Sequence, residues 1–501
     1  VPRPVSARLS SPAPWIGLLA AATLAIGVMS GLAASPFLPP LPQGVGTPAL
    51  LERLARAAGM DRMDPATASL RGAIVMGVAV LAFLGLLLHA RRGQIATRTA
   101  VLTSLVLIAI VALYPPMLSR DVYSYAIYGR IWAVAGSNPY VHPPVEFLRD
   151  PFFHVVSAEW IRSPSVYGPA FTILSGGLVK LFGSPAATIA AFKILAAVAL
   201  AGSVLIVASL GERRGPGRGA FPAVAVGLNP VLLFHTVGGG HNDVLVGLSV
   251  VGALALLPRR PLVATAVLTL GALVKLVAVV PLALLIGAVF LRAGPGLARR
   301  VRAAAPHAGL AAGMTLVLLA PFGYSKSVVS AFATLLSRLG WASPVRLVAY
   351  KAVDAGANLG SGDLGELFAA LAKAGFTALG VLTLILILRR MGRHDPRVSE
   401  ADAWGWGLLM VSLCAAYLLP WYAAWFIPAL ALSSREGPLA VGLGVAALLG
   451  MTGIPAEPGF DPSTWSGMLL AVHYVIAPIM LGLLVALVLD LRRVLLGRAP
   501  G

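Results

Sequence analysis

Stretches of about twenty apolar residues recur from one end of this chain to the other, among them 71–90, 186–210 and 365–389. A helix rises about 1.5 Å per residue, so each stretch is long enough to cross the roughly 30 Å hydrocarbon core of a bilayer. Water does not dissolve such a surface. Only 11% of the residues are charged, against about 25% in soluble globular proteins, and no polar stretch is long enough to fold as a separate soluble domain. The chain reads as an all-α polytopic membrane protein, a single integral membrane domain over residues 1–501.

Spans are expected at 15–35, 71–90, 98–117, 186–210, 220–238, 244–257, 261–274, 277–291, 305–322, 365–389, 403–419, 421–433, 438–453 and 468–490, about 13–14 in all. The first is longer than a signal-peptide core and lacks a clear cleavage pattern, so it reads as a true span. Residues 169–183 look too short for a full crossing and are expected along the surface or as a re-entrant piece. Several central spans hold only 13–15 residues; short neighbouring helices thin the protein locally or line a cavity.

The net charge of +19 is a positive-inside signal rather than a nucleic-acid footprint, because the basic clusters flank spans. Examples are "GERRGPGR" (211–218) and "RRMGRHDPR" (389–397). Placing those clusters in the cytoplasm leaves 118–168 and 323–364 outside a plasma membrane crossed many times. Cys414 is the only cysteine, which excludes intramolecular disulfides and thiolate-rich metal sites.

The segment "YPPMLSRDVYSYAIYGR" (114–130) follows the third expected span. Pro115 and Pro116 end that span, Ser119 is placed to cap a new helix, and Asp121 falls in its first turn. Tyr125, Tyr128 and Trp132 recur at helical spacing, a pattern suited to an amphipathic helix lying in the interface plane. Two readings stay open. Asp121 caps a helix while Arg120 anchors to headgroups, or Asp121 is a carboxylate at the membrane face acting as general base on a hydroxyl.

Four other segments carry candidates. "PSVYGPAFTILSGGLVKLFG" (164–183) opens on a Tyr-Gly-Pro turn. "NPVLLFHTVGGGHNDVLVG" (229–247) sets His241, Asn242 and Asp243 near the outer ends of two spans. The trio lacks the i,i+4 His pair of many metal sites, so capping or phosphate and sugar binding fit better. Lys275 lies inside the apolar stretch "LGALVKLVAVVPLALL" (270–285); it either snorkels to the headgroups or meets an anionic partner such as a lipid phosphate. Lys180 and Lys193 read as snorkelling side chains. "LLPWYAAWFIP" (418–428) places Trp421, Tyr422 and Trp425 at an outer interface, as an aromatic belt or as a wall for a sugar or prenyl chain.

Together, "SRDVYSYAIYGR" with "GSNPYVHPP", "VYGP", "GGGHNDV", "LVKLVAVVPL" and "LPWYAAWFIP" resemble the actinobacterial polyprenol-phosphate-mannose-dependent α-(1→6)-mannosyltransferases of the C-type glycosyltransferase (GT-C) superfamily. The likeness runs over most of residues 100–430, and the Asp-Val-Tyr-Ser-Tyr loop is its most specific element. It implies a GT-C fold with short extracytoplasmic interfacial helices and a catalytic loop over 118–183. It also implies inverting transfer of mannose from a polyprenyl-phosphate-mannose donor to the 6-hydroxyl of a mannose on a lipid-anchored mannan acceptor, as in lipomannan and lipoarabinomannan backbones.

Asp121 matches the family's catalytic acid position. Lys275, His241, Arg120 and Arg346 are candidates for the donor phosphate. Tyr123, Tyr125, Arg130, Asn138, Tyr167, Asn242, Asp243, Trp421 and Tyr422 are candidates for the sugar and acceptor. No metal ligand set, nucleotide or other cofactor is implied. The competing readings are a transporter or flippase of a polyprenyl-linked sugar and a GT-C transferase of another sugar such as arabinose. A flippase concentrates ionisable groups at mid-membrane, often with internal repeats, whereas here they crowd into 118–168 and no repeat is visible.

Overall fold

The computed structural model describes residues 11–324, 340, 342–358 and 362–497. Among them every regular element is helical, as a bilayer requires of a chain that does not close into a barrel. Of the expected loop 323–364, residues 325–339, 341 and 359–361, including the bulk of "YSKSVVSAFATLLSRLGWASPVRLVAYK", lie outside the described residues.

Five described helices are long and apolar enough to cross a membrane, among them Pro65–Arg91, Pro185–Glu212 and the continuous run Pro462–Leu495. The pair Ala220–Gly227 and Val231–Gly238, bent by 48°, makes a sixth. Seven further apolar helices hold 10–17 residues. Asp243–Leu256 and Pro261–Val274 are among the short central segments noted in the sequence, whereas Ala13–Met29 and Thr97–Ala112 are shorter than the spans expected at 15–35 and 98–117. Leu81, Val198, Val317 and Leu371 are exposed on such helices, the inverted surface a lipid-solvated protein presents.

Helix starts follow local chemistry. Asp64 before Pro65 accepts the Thr67 N–H, and Ser184 before Pro185 accepts the Ala187 N–H; each pairs a side-chain cap with a proline at the first helical position. Ser399 and Asp402 form a reciprocal capping box on Glu400–Cys414. Asn229-Pro230 breaks the bent pair, because proline withdraws an amide and Asn229 Oδ1 takes the Val231 N–H instead at 3.1 Å.

The chain forms two compact units. The first comprises Val1–Ser165, Ala170–Leu248 and Gly450–Met468; the second comprises Val166–Pro169, Ser249–Leu449 and Leu469–Gly501. In the first, Ala13–Met29 packs along Pro65–Arg91, and Thr97–Ala112 lies against Pro185–Glu212 and Ala220–Gly227. Small residues set these approaches: the Tyr114 ring lies over Gly27, and the Ser104 side chain over Gly227. In the second, Val279–Arg292 packs on Leu297–Leu319 and Gly362–Gly392, while Glu400–Cys414 packs on Ala423–Leu430.

Three expectations need correction. The helix Asp121–Ala133 does not lie open along an interface: Val122 to Gly129 and Ile131 are all buried. Its lack of a side chain at Gly129 lets the Ser175 backbone approach so closely that an added Cβ would sit 2.7 Å from Ser175 C. Lys193 does not snorkel; it is 2% exposed. The expected span 421–433 is the eight-residue helix Ala423–Leu430, buried along its whole length. Such a helix is about 12 Å long and cannot cross a bilayer. Its apolar run ends where Ser433 and Ser434 turn to the buried Asp402 carboxylate, which accepts from the Ser434 N–H at 3.0 Å and the Ser434 hydroxyl at 2.9 Å.

Candidate functional site

In the first unit the chain leaves Thr97–Ala112 at Pro115-Pro116 and must turn sharply. The Tyr114 and Pro115 carbonyls freed by the break are met by Lys193, whose ammonium donates to Pro115 O at 3.1 Å and to Tyr114 O, and also to Val111 O at 3.2 Å, which the Tyr114 N–H shares. Two backbone bonds then clamp the turn: Met117 N–H to Gly238 O at 3.2 Å and Leu118 N–H to Phe37 O at 2.8 Å. Leu118 is held at φ +64°, a left-handed conformation uncommon for a non-glycine residue and met at over-determined sites. The helix cap sits one residue later than the sequence suggests. Arg120 is the N-cap residue, and Ser119 Oγ accepts the Asp121 N–H at 3.0 Å. The bond that Ser119 makes thus reaches the first helical residue instead of the second or third.

Asp121, with its side chain 18% exposed, points one carboxylate oxygen at the Nδ1 of His241, 3.6 Å away. His241 is 1% exposed and Asp243 wholly buried. The Asp243 carboxylate lies 3.9 Å from the same Nδ1 and the Tyr125 hydroxyl 3.4 Å. Tyr125 also donates to Asn242 Oδ1 at 3.2 Å, and its ring is boxed by Phe171 and Phe192. Both carboxylates stand in the first turns of helices, Asp121–Ala133 and Asp243–Leu256, where the helix dipole favours negative charge. The glycines of "GGGHND" shape this corner: Gly240 has φ +68°, and a Cβ on Gly239 would stand 2.6 Å from His241 Cδ2.

Around this cluster other candidates are already engaged. The Arg120 guanidinium forms a bidentate pair with Glu457, both bonds 2.5 Å long. Tyr123 lies beneath, wholly buried against Phe152; its hydroxyl has no hydrogen-bond partner among the described residues. Burial pushes that phenol well above its usual range. Arg130 donates to Asp150 at 2.7 Å, at a surface cleft of about 480 Å³ lined by Arg130, Glu146, Phe147, Leu148, Arg149 and Asp150. Asn138 Oδ1 accepts the Tyr140 N–H at 3.0 Å, an Asx turn around Pro139, and Tyr140 shares a 3.1 Å bond with Thr172.

In the second unit Lys275 is the extended residue between Pro261–Val274 and Leu276–Ala278. Its ammonium stands 5.0 Å from the Tyr422 ring centre and 5.4 Å from that of Trp425. Those rings stack on each other at 3.7 Å, a cation–π arrangement. Trp421 is buried beside them. The Tyr167-Gly168-Pro169 turn docks on the same break: Gly168 N–H donates to Val274 O at 3.1 Å, and a side chain on Gly168 would strike the Leu273 carbonyl. Arg346 lines a cleft of about 510 Å³ with Tyr350, Glu366 and Lys373.

The structure thus gathers Asp121, Tyr125, His241, Asn242 and Asp243 in the first unit, and Lys275, Tyr422 and Trp425 in the second. Glu457 and Phe171 were not singled out by sequence. Glu457 lies 337 positions from Arg120, and no local pattern marks it. Among the described residues no group of three or more His, Cys, Asp or Glu is placed to hold a metal ion.

Residues 14–292 match the family model described as α-(1→6)-mannopyranosyltransferase, N-terminal domain. The chain is 29% identical over 377 residues to α-(1→6)-mannopyranosyltransferase A of Mycobacterium tuberculosis, covering 70% of this chain and 68% of that protein. A second α-(1→6)-mannopyranosyltransferase of M. tuberculosis is 27% identical over 388 residues, 64% of each chain. The A protein of Corynebacterium glutamicum is 30% identical over 172 residues, 33% of this chain and 34% of its own length. No solved structure matches the chain.

Proposed function

Because the chain belongs to the α-(1→6)-mannopyranosyltransferase family, an enzyme family, we propose that it transfers mannose from a polyprenyl-phosphate donor to the 6-hydroxyl of a mannose on a lipid-anchored mannan, on the extracytoplasmic face and on a GT-C scaffold. The observation that carries the reading is a partly exposed carboxylate, Asp121, fixed at a helix start by a strained, doubly clamped turn.

In the proposed step the acceptor oxygen attacks the anomeric carbon from the face opposite the phosphate. The new O–C1 bond forms as the C1–O(phosphate) bond breaks, and the electron pair leaves with polyprenyl phosphate. The hydroxyl proton passes to Asp121. Phosphate leaves readily, so a weak base held in place suffices, and positioning supplies much of the acceleration.

Within the second unit, Lys275 on its aromatic stack is the group proposed to meet the phosphate charge as it develops. Arg346, at its own cleft, stays a second phosphate candidate, and Arg120 a weaker one because it is paired with Glu457. Tyr123, Tyr125, Arg130, Asn138, Tyr167, Asn242, Trp421 and Tyr422 remain proposed for the sugar and acceptor side.

A transfer assay with polyprenyl-phosphate mannose and a synthetic α-(1→6)-dimannoside tests the reading. Asp121→Asn is expected to lower kcat by at least about a hundredfold while folding and donor binding persist. Near-normal turnover would remove the general-base role. Lys275→Ala is expected to raise the apparent KM for the donor, and an unchanged value would take Lys275 out of donor binding.

A further inference from the structure

We propose that His241 is a positioning residue for Asp121, held between two carboxylates by Tyr125. The inference rests on the general-base reading of Asp121 and adds to it a specific partner.

Three oxygens surround one ring nitrogen: the Tyr125 hydroxyl at 3.4 Å, Asp121 Oδ2 at 3.6 Å and Asp243 Oδ2 at 3.9 Å from His241 Nδ1. A nitrogen facing two carboxylate oxygens acts as donor, so Nδ1 carries a proton. The N–H then points between Asp121 and Asp243 and offsets the repulsion of two carboxylates lying close to one atom.

The ring has little freedom to turn. It is 1% exposed, the main-chain N–H of His241 donates to Thr236 O at 2.8 Å and anchors the residue, the ring's Cδ2 edge faces Gly239, and the Tyr125 ring meets it edge-on at 6.4 Å between centres. Asn242, next in the chain, receives the Tyr125 hydroxyl bond and returns its own N–H to that oxygen at 3.5 Å. Tyr125 is thereby the post on which the His241-Asn242 turn hangs.

The chemical consequence lies in how the Asp121 carboxylate is held. With Oδ2 turned to the imidazole, the carboxylate is set in one orientation toward the acceptor hydroxyl. Asp243, wholly buried, faces the same Nδ1–H at 3.9 Å, so that proton stays engaged between the two carboxylates and His241 is not the group proposed to take the acceptor proton. Its role is to hold the carboxylate in one rotamer, and a base displaced by about 1 Å loses on the order of a hundredfold in rate.

The test uses the full chain in lipid nanodiscs with the same donor and dimannoside. His241→Asn keeps an amide nitrogen where Nδ1 stands, whereas His241→Gln places one nearer Nε2. His241→Gln is expected to lose about 10- to 100-fold in kcat with donor KM within about twofold. His241→Asn is expected to retain at least about fivefold more activity than the Gln variant. Tyr125→Phe, which removes only the hydroxyl, is expected to show a smaller kcat loss with the same unchanged KM; it keeps the proposal testable if His241 variants fold poorly. A double Asp121→Asn/His241→Gln variant is expected to be no slower than Asp121→Asn alone.

Equal losses in the Asn and Gln variants, or a raised donor KM at unchanged kcat, overturn the proposal; the second result would return His241 to donor phosphate binding. Full turnover in His241→Gln and Tyr125→Phe beside an inactive Asp121→Asn sinks this inference and leaves the general base standing. An active Asp121→Asn sinks both.

Discussion

Lys193 shows how much one residue can decide about a site it never touches. Its ammonium is bound to three main-chain carbonyls, and two of them, on Tyr114 and Pro115, are freed because Pro115 and Pro116 end the helix before Asp121. Replacing it with Met keeps the length and apolar bulk but leaves the Tyr114 and Pro115 carbonyls without their donor, at about 1–3 kcal/mol for a group left unsatisfied. Lys193→Met is therefore expected to lower the thermal unfolding midpoint in detergent and to reduce kcat more than donor KM, because the turn that aims Asp121 loosens. A variant with unchanged midpoint and turnover would show that the carbonyls find other partners and that Lys193 does not support the site. In the sequence this lysine looked like a headgroup anchor, because nothing in residues 186–210 shows that a proline break 78 positions earlier needs a donor. Asp121 was legible for the opposite reason. The proline pair, the Ser-Arg-Asp triplet and the end of the apolar run are all local.

At the scale of elements, connections that look like solvated charge turn out to be joints. "RRMGRHDPR" reads as a cytoplasmic basic cluster, yet Asp395 within it accepts from Arg397 at 2.7 Å and from Arg390 at 3.0 Å. Arg390 in turn donates to Leu495 O at 2.8 and 3.0 Å, tying the end of Gly362–Gly392 to the end of Ala477–Leu495. The Arg397 hydrogen bonds, with help from Arg390, hold the Asp395 carboxyl far below the usual carboxylate range against the opposing effect of burial. A depressed folded-state value means that the stabilisation is complete above the unfolded value of about 3.9 and is lost as pH falls through the folded value. Asp395→Asn is expected to lose about 2 kcal/mol at neutral pH. The gap in unfolding midpoint between wild type and variant should stay constant from pH 7 to pH 5 and shrink below about pH 4. A gap already absent at pH 7, or one that persists undiminished in strong acid, would contradict the ion-pair account. Helix positions were readable from apolar length alone. Which of them are bent, buried or too short to cross was not, as Ala423–Leu430 shows: its apolar run is closed by Ser433 and Ser434 reaching the Asp402 carboxylate, a contact that no helical period announces.

For the whole molecule the decisive quantity is the side of the membrane on which 118–168 lies. Arginine is costly to carry across a bilayer, so the proposed topology keeps clusters such as Arg213, Arg214 and Arg218 on the side of synthesis. The segment 118–168 carries both signs of charge and is separated from that cluster by the spanning helix Pro185–Glu212. Cys414 is the only cysteine, so a Cys414→Ala background gives a silent chain on which single sites can be read. Leu148, 58% exposed beside the Arg130 cleft, and Pro216, exposed in the basic turn, are suitable reporters because neither is buried. In intact cells treated with a membrane-impermeant maleimide, Leu148→Cys is expected to label and Pro216→Cys to stay unlabelled until the membrane is opened. The mannose donor proposed here is anchored by its prenyl chain and presents its sugar at one face of the bilayer, so the base must stand on that face. The reverse labelling pattern would put Asp121 and its His241 partner on the cytoplasmic side, where an extracytoplasmic mannan acceptor cannot reach them, and would force a different acceptor for the same carboxylate.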